Sequence, residues 1–250
     1  MATLTLHYNF ENYVAGSNTI VNKGTTGSAY NATIVGNASV INTDHATGTS
    51  CLSLIGEGTS SGGYLQIPNF NWSTFLTMTG CLYTIAFWYK KPATSITETN
   101  ARIIDCYYDS NRYFYIYFNS SGNLVFKKND EYGLIDETIV VNANVCDGRW
   151  HHFAIANNFS DWILIYIDGV YTSNLIHAHA GFSYNAYNTC YIGRSSTSTD
   201  YYATECIDDF RIYNYYMQPE DVSALFALYN KPSCKYLFVG NPPVGLNLFM

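Results

Sequence analysis

WHHFA at residues 150–154, IYIDG at 165–169 and IDDFRIYN at 207–214 are the stretches that decide the fold of this chain. Each is predicted to form a β-strand with a defined inner face. Asp168-Gly169 is a two-residue pair that strongly predicts a tight β-hairpin. The three stretches therefore predict antiparallel strands in the second half of the chain.

The order and spacing of these stretches resemble the laminin-G-like, concanavalin-A-like jelly roll. In that family a W-H-H-x-A strand precedes a Y-x-D-G hairpin and a late I-D-D-x-R-I-Y strand. The first half is similar as well, at residues 6–10, 51–56, 63–68 and 83–90. The resemblance covers roughly residues 4–230. It implies an all-β, two-sheet antiparallel sandwich.

Period-two alternation recurs along the chain, and Gly, Asn, Asp and Ser fill the gaps between the alternating runs. This spacing is typical of an antiparallel sandwich rather than of alternating strands and helices. One short C-terminal helix is predicted from Gln218, because Pro219 and two acids open it and apolar residues follow at helical spacing. We expect a jelly-roll domain over residues 1–230 and an apolar docking tail over residues 231–250.

Composition excludes some partners and favours others. The net charge of −7 argues against nucleic acid, because phosphate binding depends on clustered Lys and Arg. No apolar run is long enough for membrane insertion, and no Sec-type signal peptide is expected ahead of the first strand. Only 12% of residues are charged while 24 are Tyr. Such a surface suits hydrogen-bonded contact with a partner, although the β-forming tendency of Tyr and Thr is a sufficient alternative explanation.

The seven cysteines lack the paired spacing of a zinc or redox motif. Most lie inside apolar strand patterns, where a free Cys acts as a small buried side chain. We therefore expect unpaired thiols and synthesis in a reducing compartment, the cytoplasm, with the chain ending in a virion or another assembled particle.

No catalytic residues are predicted. The E-x-D-x-E pattern of glycan-cleaving relatives is absent. The Gly-x-Ser-x-Gly elbow that carries the nucleophilic serine of serine hydrolases is absent as well. His177 and His179 have a spacing that could suit a metal, but no third ligand is visible nearby. The chain is not expected to be an enzyme, and we expect it to require no cofactor.

The resemblance implies calcium as an optional cofactor, since laminin-G and pentraxin relatives often bind it at one rim of the sandwich. The candidate ligands are Asp208 and Asp209. The alternative role of this pair is hydrogen bonding to nearby loops and to Arg211.

Two tyrosine-rich loops are candidate sites for a glycan, because aromatic rings stack on sugars while Asn and Asp bind hydroxyl groups. A strand end or a protein interface is the alternative interpretation of both. The candidate residues are Tyr107, Tyr108, Asp109 and Asn111 in the first loop, and Asp200, Tyr201 and Tyr202 in the second.

The apolar tail is the candidate assembly segment. Its residues Tyr236, Leu237, Phe238 and Val239 are predicted to add a strand to a sheet edge, in the same subunit or in another, with Leu248 and Phe249 as further contacts.

These features favour a non-catalytic structural or adhesive binding module that assembles into a larger particle or surface layer, such as a minor capsid or fibre protein of a large virus. The alternative is a soluble lectin-like domain, with or without calcium. A degraded glycan-active enzyme is the third hypothesis. The expected partners are proteins of an assembly and surface glycans.

Overall fold

The structure is a computed structural model, and it describes residues 3–56, 62–71, 74, 82–91, 102–110, 112–129, 137–141, 145–158, 162–176, 189–197 and 202–229. The strands of the first half are β1 Leu4–Tyr8, β2 Thr19–Ile20, β3 Ala32–Val35, β4 Ser39–Ile41, β5 Cys51–Leu54, β6 Tyr64–Pro68, β7 Leu82–Lys90 and β8 Arg102–Asp109. Those of the second half are β9 Arg112–Phe118, β10 Leu124–Asn129, β11 Glu137–Val141, β12 Trp150–Asn158, β13 Trp162–Ile167, β14 Val170–Ile176, β15 Thr189–Ile192 and β16 Glu205–Tyr213. A 3-10 helix spans Gly27–Tyr30, and helix α1 spans Pro219–Tyr229.

The strands form two antiparallel sheets. The first has the order β14-β13-β12-β7-β16-β5-β4, and β1 also pairs with β16. The second has the order β11-β10-β9-β8-β15-β6-β3-β2. The predicted all-β two-sheet sandwich is therefore confirmed.

The core lies between the inner faces of the two sheets. Alternate residues of each strand point inward, because successive side chains of a strand leave opposite faces. Phe87 of β7 and Phe153 of β12 pair in register and stack at 5.5 Å between ring centroids. They meet side chains such as Ile116 of the second sheet in one continuous buried cluster.

Local turn and helix signals are confirmed where the structure describes them. Asp168 and Gly169 both have positive φ, 52° and 76°, as a two-residue hairpin between β13 and β14 requires. Gly122 has a φ of 73° in the turn between β9 and β10. The predicted helix is present as α1, and it begins at Pro219, one residue after Gln218. No helix in the described ranges is long and apolar enough to cross a membrane.

The outer faces of the two sheets differ. Helix α1 covers part of the outer face of the first sheet, where the small side chains Ala86, Ala154 and Ala156 leave room for Val222 and Leu225. The outer face of the second sheet carries tyrosine and arginine side chains instead.

The cysteines depart from the expectation of unpaired thiols. Cys106 of β8 and Cys190 of β15 stand opposite each other in register and form a disulfide. The expectation is wrong for this pair. The two cysteines are 84 positions apart in the sequence, and they meet only because β8 and β15 are neighbours in the sheet. Cys51, Cys146 and Cys206 are free thiols. The expected site of synthesis stays a prediction.

Candidate ligand-binding face

The outer face of the second sheet carries a cluster that we call the Arg–Tyr face. Its position follows from strand alternation. In β9 the residues Phe114, Ile116 and Phe118 enter the core, so the residues between them face outward. The members of the Arg–Tyr face are Tyr64, Arg102, Tyr115, Tyr117, Tyr191, Arg194 and Tyr202.

Arg102 lies on two tyrosine rings. Its guanidinium carbon is 4.0 Å from the ring centroid of Tyr115 and 4.5 Å from that of Tyr117. A register shift between Arg102 and Ile104 allows Arg102 to face outward while Ile103 and Ile104 both stay in the core. Cation–π contact of this kind holds an arginine side chain in place and shields part of its charge.

Arg194 lies against three tyrosine rings. Its guanidinium carbon is 4.8 Å from the ring centroid of Tyr64, 5.4 Å from Tyr191 and 5.5 Å from Tyr202. Tyr64 and Tyr191 meet edge to face at 5.2 Å. The two arginines thus anchor two aromatic groups on one sheet face.

Asp105 lies between these groups and is buried, with 1% of its surface exposed. It accepts a hydrogen bond from the Ser196 hydroxyl at 2.5 Å, and one of its oxygens lies 3.5 Å from Arg102 Nε. Burial raises the pKa of Asp105 above its ordinary value, although the contacts with Ser196 and Arg102 act in the opposite direction. Asp105 therefore fastens the segment after β15 to the sheet and does not face solvent.

The first predicted loop lies at the far end of β8 from Arg102. Arg112 Nε donates to Asp109 Oδ2 at 2.9 Å, and the Arg112 guanidinium carbon lies 3.7 Å from the Tyr108 ring centroid. Tyr107 pairs in register with Tyr113 on the same sheet. This loop has the aromatic and polar groups expected of it, and its ligand-binding role stays a prediction.

The second predicted loop is described only in part. Tyr202 is buried, and its ring centroid lies 5.5 Å from the Arg194 guanidinium carbon. The backbones of Tyr202 and Arg194 form an isolated antiparallel β-bridge. Asp200, Tyr201 and, in the first loop, Asn111 lie outside the described residues. Tyr202 lies at the Arg102 end of β8 and Tyr107 at the other end, so these described members of the two predicted clusters are not brought together.

Several members of the face were not among the predicted residues. The members not predicted as site residues are Tyr64, Arg102, Tyr115, Tyr117, Tyr191 and Arg194. The signal for two of them is the period-two tyrosine pattern of residues 113–117, which places every second ring on one side of β9. Tyr191 and Arg194 reach the same face only through the pairing of β15 with β8.

The calcium candidates Asp208 and Asp209 are both buried, and both carboxylates have protein partners. Asp208 Oδ2 accepts hydrogen bonds from the backbone N–H groups of Ala46 and Thr47, at 3.0 and 2.8 Å. Asp209 contacts His7 Nε2 at 2.7 Å and the Arg211 guanidinium at 3.0 Å.

These contacts correspond to the alternative, structural role of the pair. The N–H donors engage only Oδ2 of Asp208, whose Oδ1 has no hydrogen-bond partner among the described residues, while Asp209 is engaged by His7 and Arg211. In the described part of the chain, no group of three or more His, Cys, Asp or Glu side chains is arranged to hold a metal ion. Calcium binding stays a prediction.

The remaining candidates lie outside the described residues. They are His177 and His179, and the tail residues Tyr236, Leu237, Phe238, Val239, Leu248 and Phe249. Their metal-binding and assembly roles stay predictions.

Comparisons with known proteins agree with this architecture. A family model described as the concanavalin A-like lectin/glucanases superfamily matches residues 58–223. The solved binding domain of botulinum neurotoxin serotype D has a TM-score of 0.65 and 18% identity, over 90% of this chain and 51% of that one. The binding domain of Paraclostridial Mosquitocidal Protein 1 has a TM-score of 0.67 and 16% identity, over 91% and 52%.

The receptor-binding domain of the botulinum neurotoxin C/D mosaic serotype has a TM-score of 0.66 and 16% identity, over 90% of this chain and 51% of that one. The chain thus spans about half the length of the solved structures it matches. A search of curated protein sequences gives no match. At this identity the likeness concerns the fold.

Proposed function

This chain belongs to the concanavalin A-like lectin/glucanase superfamily, and from that membership we propose that it is a non-catalytic recognition module that binds a carbohydrate through the Arg–Tyr face. The observation that carries the proposal is the pair of arginines held on tyrosine rings on an outer sheet face. Half-buried rings offer apolar faces for stacking on a sugar, and the guanidinium groups supply hydrogen-bond donors.

Two further facts support recognition rather than catalysis. Described carboxylates near the face have structural partners: Asp105 binds Ser196, and Asp109 binds Arg112. Glycoside hydrolysis instead needs two carboxyl groups that flank the scissile bond. The solved neighbours are themselves described as binding or receptor-binding domains of toxins.

A glycan array tests the proposal, with the folded protein and two tyrosine variants. Tyr117→Ala removes a ring of the Arg–Tyr face. Tyr171→Ala removes an exposed ring on β14, in the other sheet, and serves as the matched control. Stacking contacts are worth about 1 kcal/mol or more each, so we expect Tyr117→Ala to weaken binding about tenfold. Calcium and a chelator are included as separate conditions.

If Tyr117→Ala binds the glycan as tightly as the wild type, the glycan does not bind at the Arg–Tyr face. An array without a single bound glycan, from protein that melts cooperatively, would defeat the proposal. Hydrolysis of a bound polysaccharide would contradict the non-catalytic part.

The second candidate function is a structural or adhesive role in a larger particle or surface layer, including a viral capsid or fibre. Exposed apolar side chains on two edge strands favour it: Val140 of β11 is 52% exposed, and Val170 and Tyr171 of β14 are 66% and 50% exposed. An exposed apolar edge can pair with another chain.

Light scattering after size exclusion tests this role. We expect the full chain to form a concentration-dependent assembly that Val170→Lys weakens. Comparison with residues 1–230 then separates edge pairing from a contribution of the tail. A monomer at every concentration would count against assembly of this chain with itself.

A further inference from the structure

We propose that the ligand of the Arg–Tyr face is an acidic oligosaccharide, whose carboxylate or sulfate group pairs with Arg102 and Arg194. The inference rests on the proposed function and specifies its ligand class. It is carried by the positions of the two guanidinium groups and by the partners they have in the described residues.

The two arginines are neighbours on adjacent chain segments. Gly193 N donates to Ile103 O at 3.0 Å, which extends the pairing of β15 with β8 beyond Ile192 and Ile104. Arg194 follows Gly193, and Arg102 precedes Ile103. Two positive charges therefore lie on one face of neighbouring segments, where like charges repel each other.

One described carboxylate lies near them, and it pairs with Arg102 alone. An oxygen of Asp105 lies 3.5 Å from Arg102 Nε, and Asp105 also accepts a hydrogen bond from Ser196. Arg194 has its ring contacts, and its guanidinium forms no hydrogen bond with any described residue. An anionic group of the ligand would thus meet a guanidinium, that of Arg194, which has no carboxylate partner among the described residues.

Some donor atoms of the two guanidinium groups are buried, and the others are accessible to such an anion. Arg102 Nε and Nη1 and Arg194 Nε are buried without a hydrogen-bond partner among the described residues. Arg102 Nη2 and the Nη1 and Nη2 atoms of Arg194 also lack a partner, but they are not among the buried atoms. Guanidinium groups bind carboxylate and sulfate oxygens in a two-pronged geometry that a neutral hydroxyl does not match.

The tyrosine rings make this geometry stable before the ligand arrives. Tyr115 and Tyr117 hold Arg102, while Tyr64 and Tyr191 flank Arg194. A guanidinium that is already stacked loses little freedom when it binds an anion. Tyr115 is covered by Arg102 and stacks on Tyr113 at 4.7 Å, so the sugar would stack on the other rings of the face.

The location also contrasts with the chain as a whole, which has a net charge of −7. An acidic protein repels an acidic glycan everywhere except where positive charge is concentrated. We therefore expect an acidic ligand to bind at this face and not over the general surface.

The test uses an array that carries uronate-bearing, sulfated and neutral oligosaccharides, followed by calorimetry. The strongest acidic oligosaccharide is compared with its own neutral form, the methyl ester of a uronate or the desulfated sugar. We expect the acidic form to bind at least tenfold more tightly, and binding to weaken as salt rises. The separate uronate and sulfate arms identify which acidic group is preferred.

Arginine variants locate the effect. Arg102→Gln and Arg194→Gln are each expected to weaken the acidic ligand at least tenfold and to reduce its salt dependence. Arg194→Lys keeps the charge but loses the two-pronged geometry, so an intermediate affinity is expected. Arg149→Gln is the control, because the Arg149 side chain is 83% exposed and lies before β12 in the other sheet.

Equal binding of the acidic and neutral forms would overturn the inference while leaving carbohydrate binding intact. The same holds if both Gln variants, shown to be folded by their melting curves, retain full affinity for the acidic form. If no oligosaccharide of any kind binds, the proposed function itself fails. Equally tight binding of oligothymidylate would show that the face recognises nucleic acid, and this would also overturn the inference.

Discussion

Asp208 Oδ2 accepts the backbone N–H of Thr47 at 2.8 Å, and this hydrogen bond ties β16 to the loop between β4 and β5. The Ala46 N–H bonds to the same oxygen at 3.0 Å. The other end of the loop is held by Glu11, whose Oε1 accepts the N–H groups of Thr49 and Ser50 at 2.7 and 3.1 Å. Two carboxylates from distant parts of the chain therefore fix this loop.

Asp208 is expected to make stability depend on pH. Burial is the main cause that raises the pKa of Asp208 to about 7, and its Oδ1 has no partner in the described residues. Because the folded pKa exceeds the unfolded pKa of about 3.9, this group favours folding most below pH 4. Its contribution is lost as pH rises towards 7.

Asp208→Asn keeps an oxygen acceptor for Thr47 and removes the charge. Between pH 5 and pH 8 the free energy of unfolding of the wild type should fall. In Asp208→Asn we expect this fall to be smaller by about 2 to 3 kcal/mol. Urea unfolding at both pH values measures it. Asp147→Asn, in an exposed turn, is the control. Equal pH slopes for wild type and Asp208→Asn would contradict the assignment.

The disulfide between Cys106 and Cys190 should be a large contributor to stability. It closes a loop over 84 residues and joins β8 to β15, and the chain-entropy account assigns such a loop about 4 kcal/mol. We expect a reducing agent to lower the melting temperature of the wild type and not that of Cys106→Ser. Mass spectrometry after alkylation without reduction should find two cysteines protected. Seven alkylated cysteines would show that the bond does not form.

Gly63 should tolerate no side chain. A Cβ atom there would lie 1.9 Å from the backbone nitrogen of Ala38. We expect Gly63→Ala to cost about 2 kcal/mol or more, because backbone must move to make room. Gly16→Ala is the contrasting variant: its φ is +84° but no atom lies within 4 Å, so a cost of about 1 kcal/mol is expected. Thermal melts of the two variants compare the costs, and the reverse ranking would be inconsistent with this packing.

Phe226 should hold helix α1 on the first sheet. Its ring stacks on Trp88 at 5.6 Å and lies 6.0 Å from the His152 ring. We expect Phe226→Ala to lower the free energy of unfolding by about 2 kcal/mol. Leu228→Ala, on the exposed side of the helix, should change it little, since Leu228 is 59% exposed.

The same variant gives a second, independent measurement. Burial lowers the pKa of His152 to about 4. This histidine supports folding above pH 6.5, and its contribution is lost as pH falls towards 4, because the unfolded chain then binds more protons. Phe226→Ala admits water and should raise the pKa of His152 towards its ordinary value. An NMR titration follows this change, and an unchanged pKa would show that Phe226 does not shield the ring.

Local sequence patterns were sufficient to predict the strands, the Asp168-Gly169 hairpin and helix α1, because each of these elements depends on residues within a few positions of one another. It was also sufficient to single out Tyr107 and Tyr202 as tyrosines of interest. It could not show that they lie at opposite ends of β8. The Arg–Tyr face was likewise hidden, since Arg102 and Arg194 are 92 positions apart and meet only because β15 pairs with β8.

The amino-acid sequence by itself thus determined the sandwich, its turns and its short helix, through side-chain alternation and backbone preferences that act locally. Tertiary structure alone decided which residues share a face, which cysteines pair and which carboxylates are buried. The physical reason is that strand order within a sheet is set by packing of the whole core. That packing brings Cys106 to Cys190, Asp208 to Thr47 and the two arginines to one surface, and none of these contacts has a local signal.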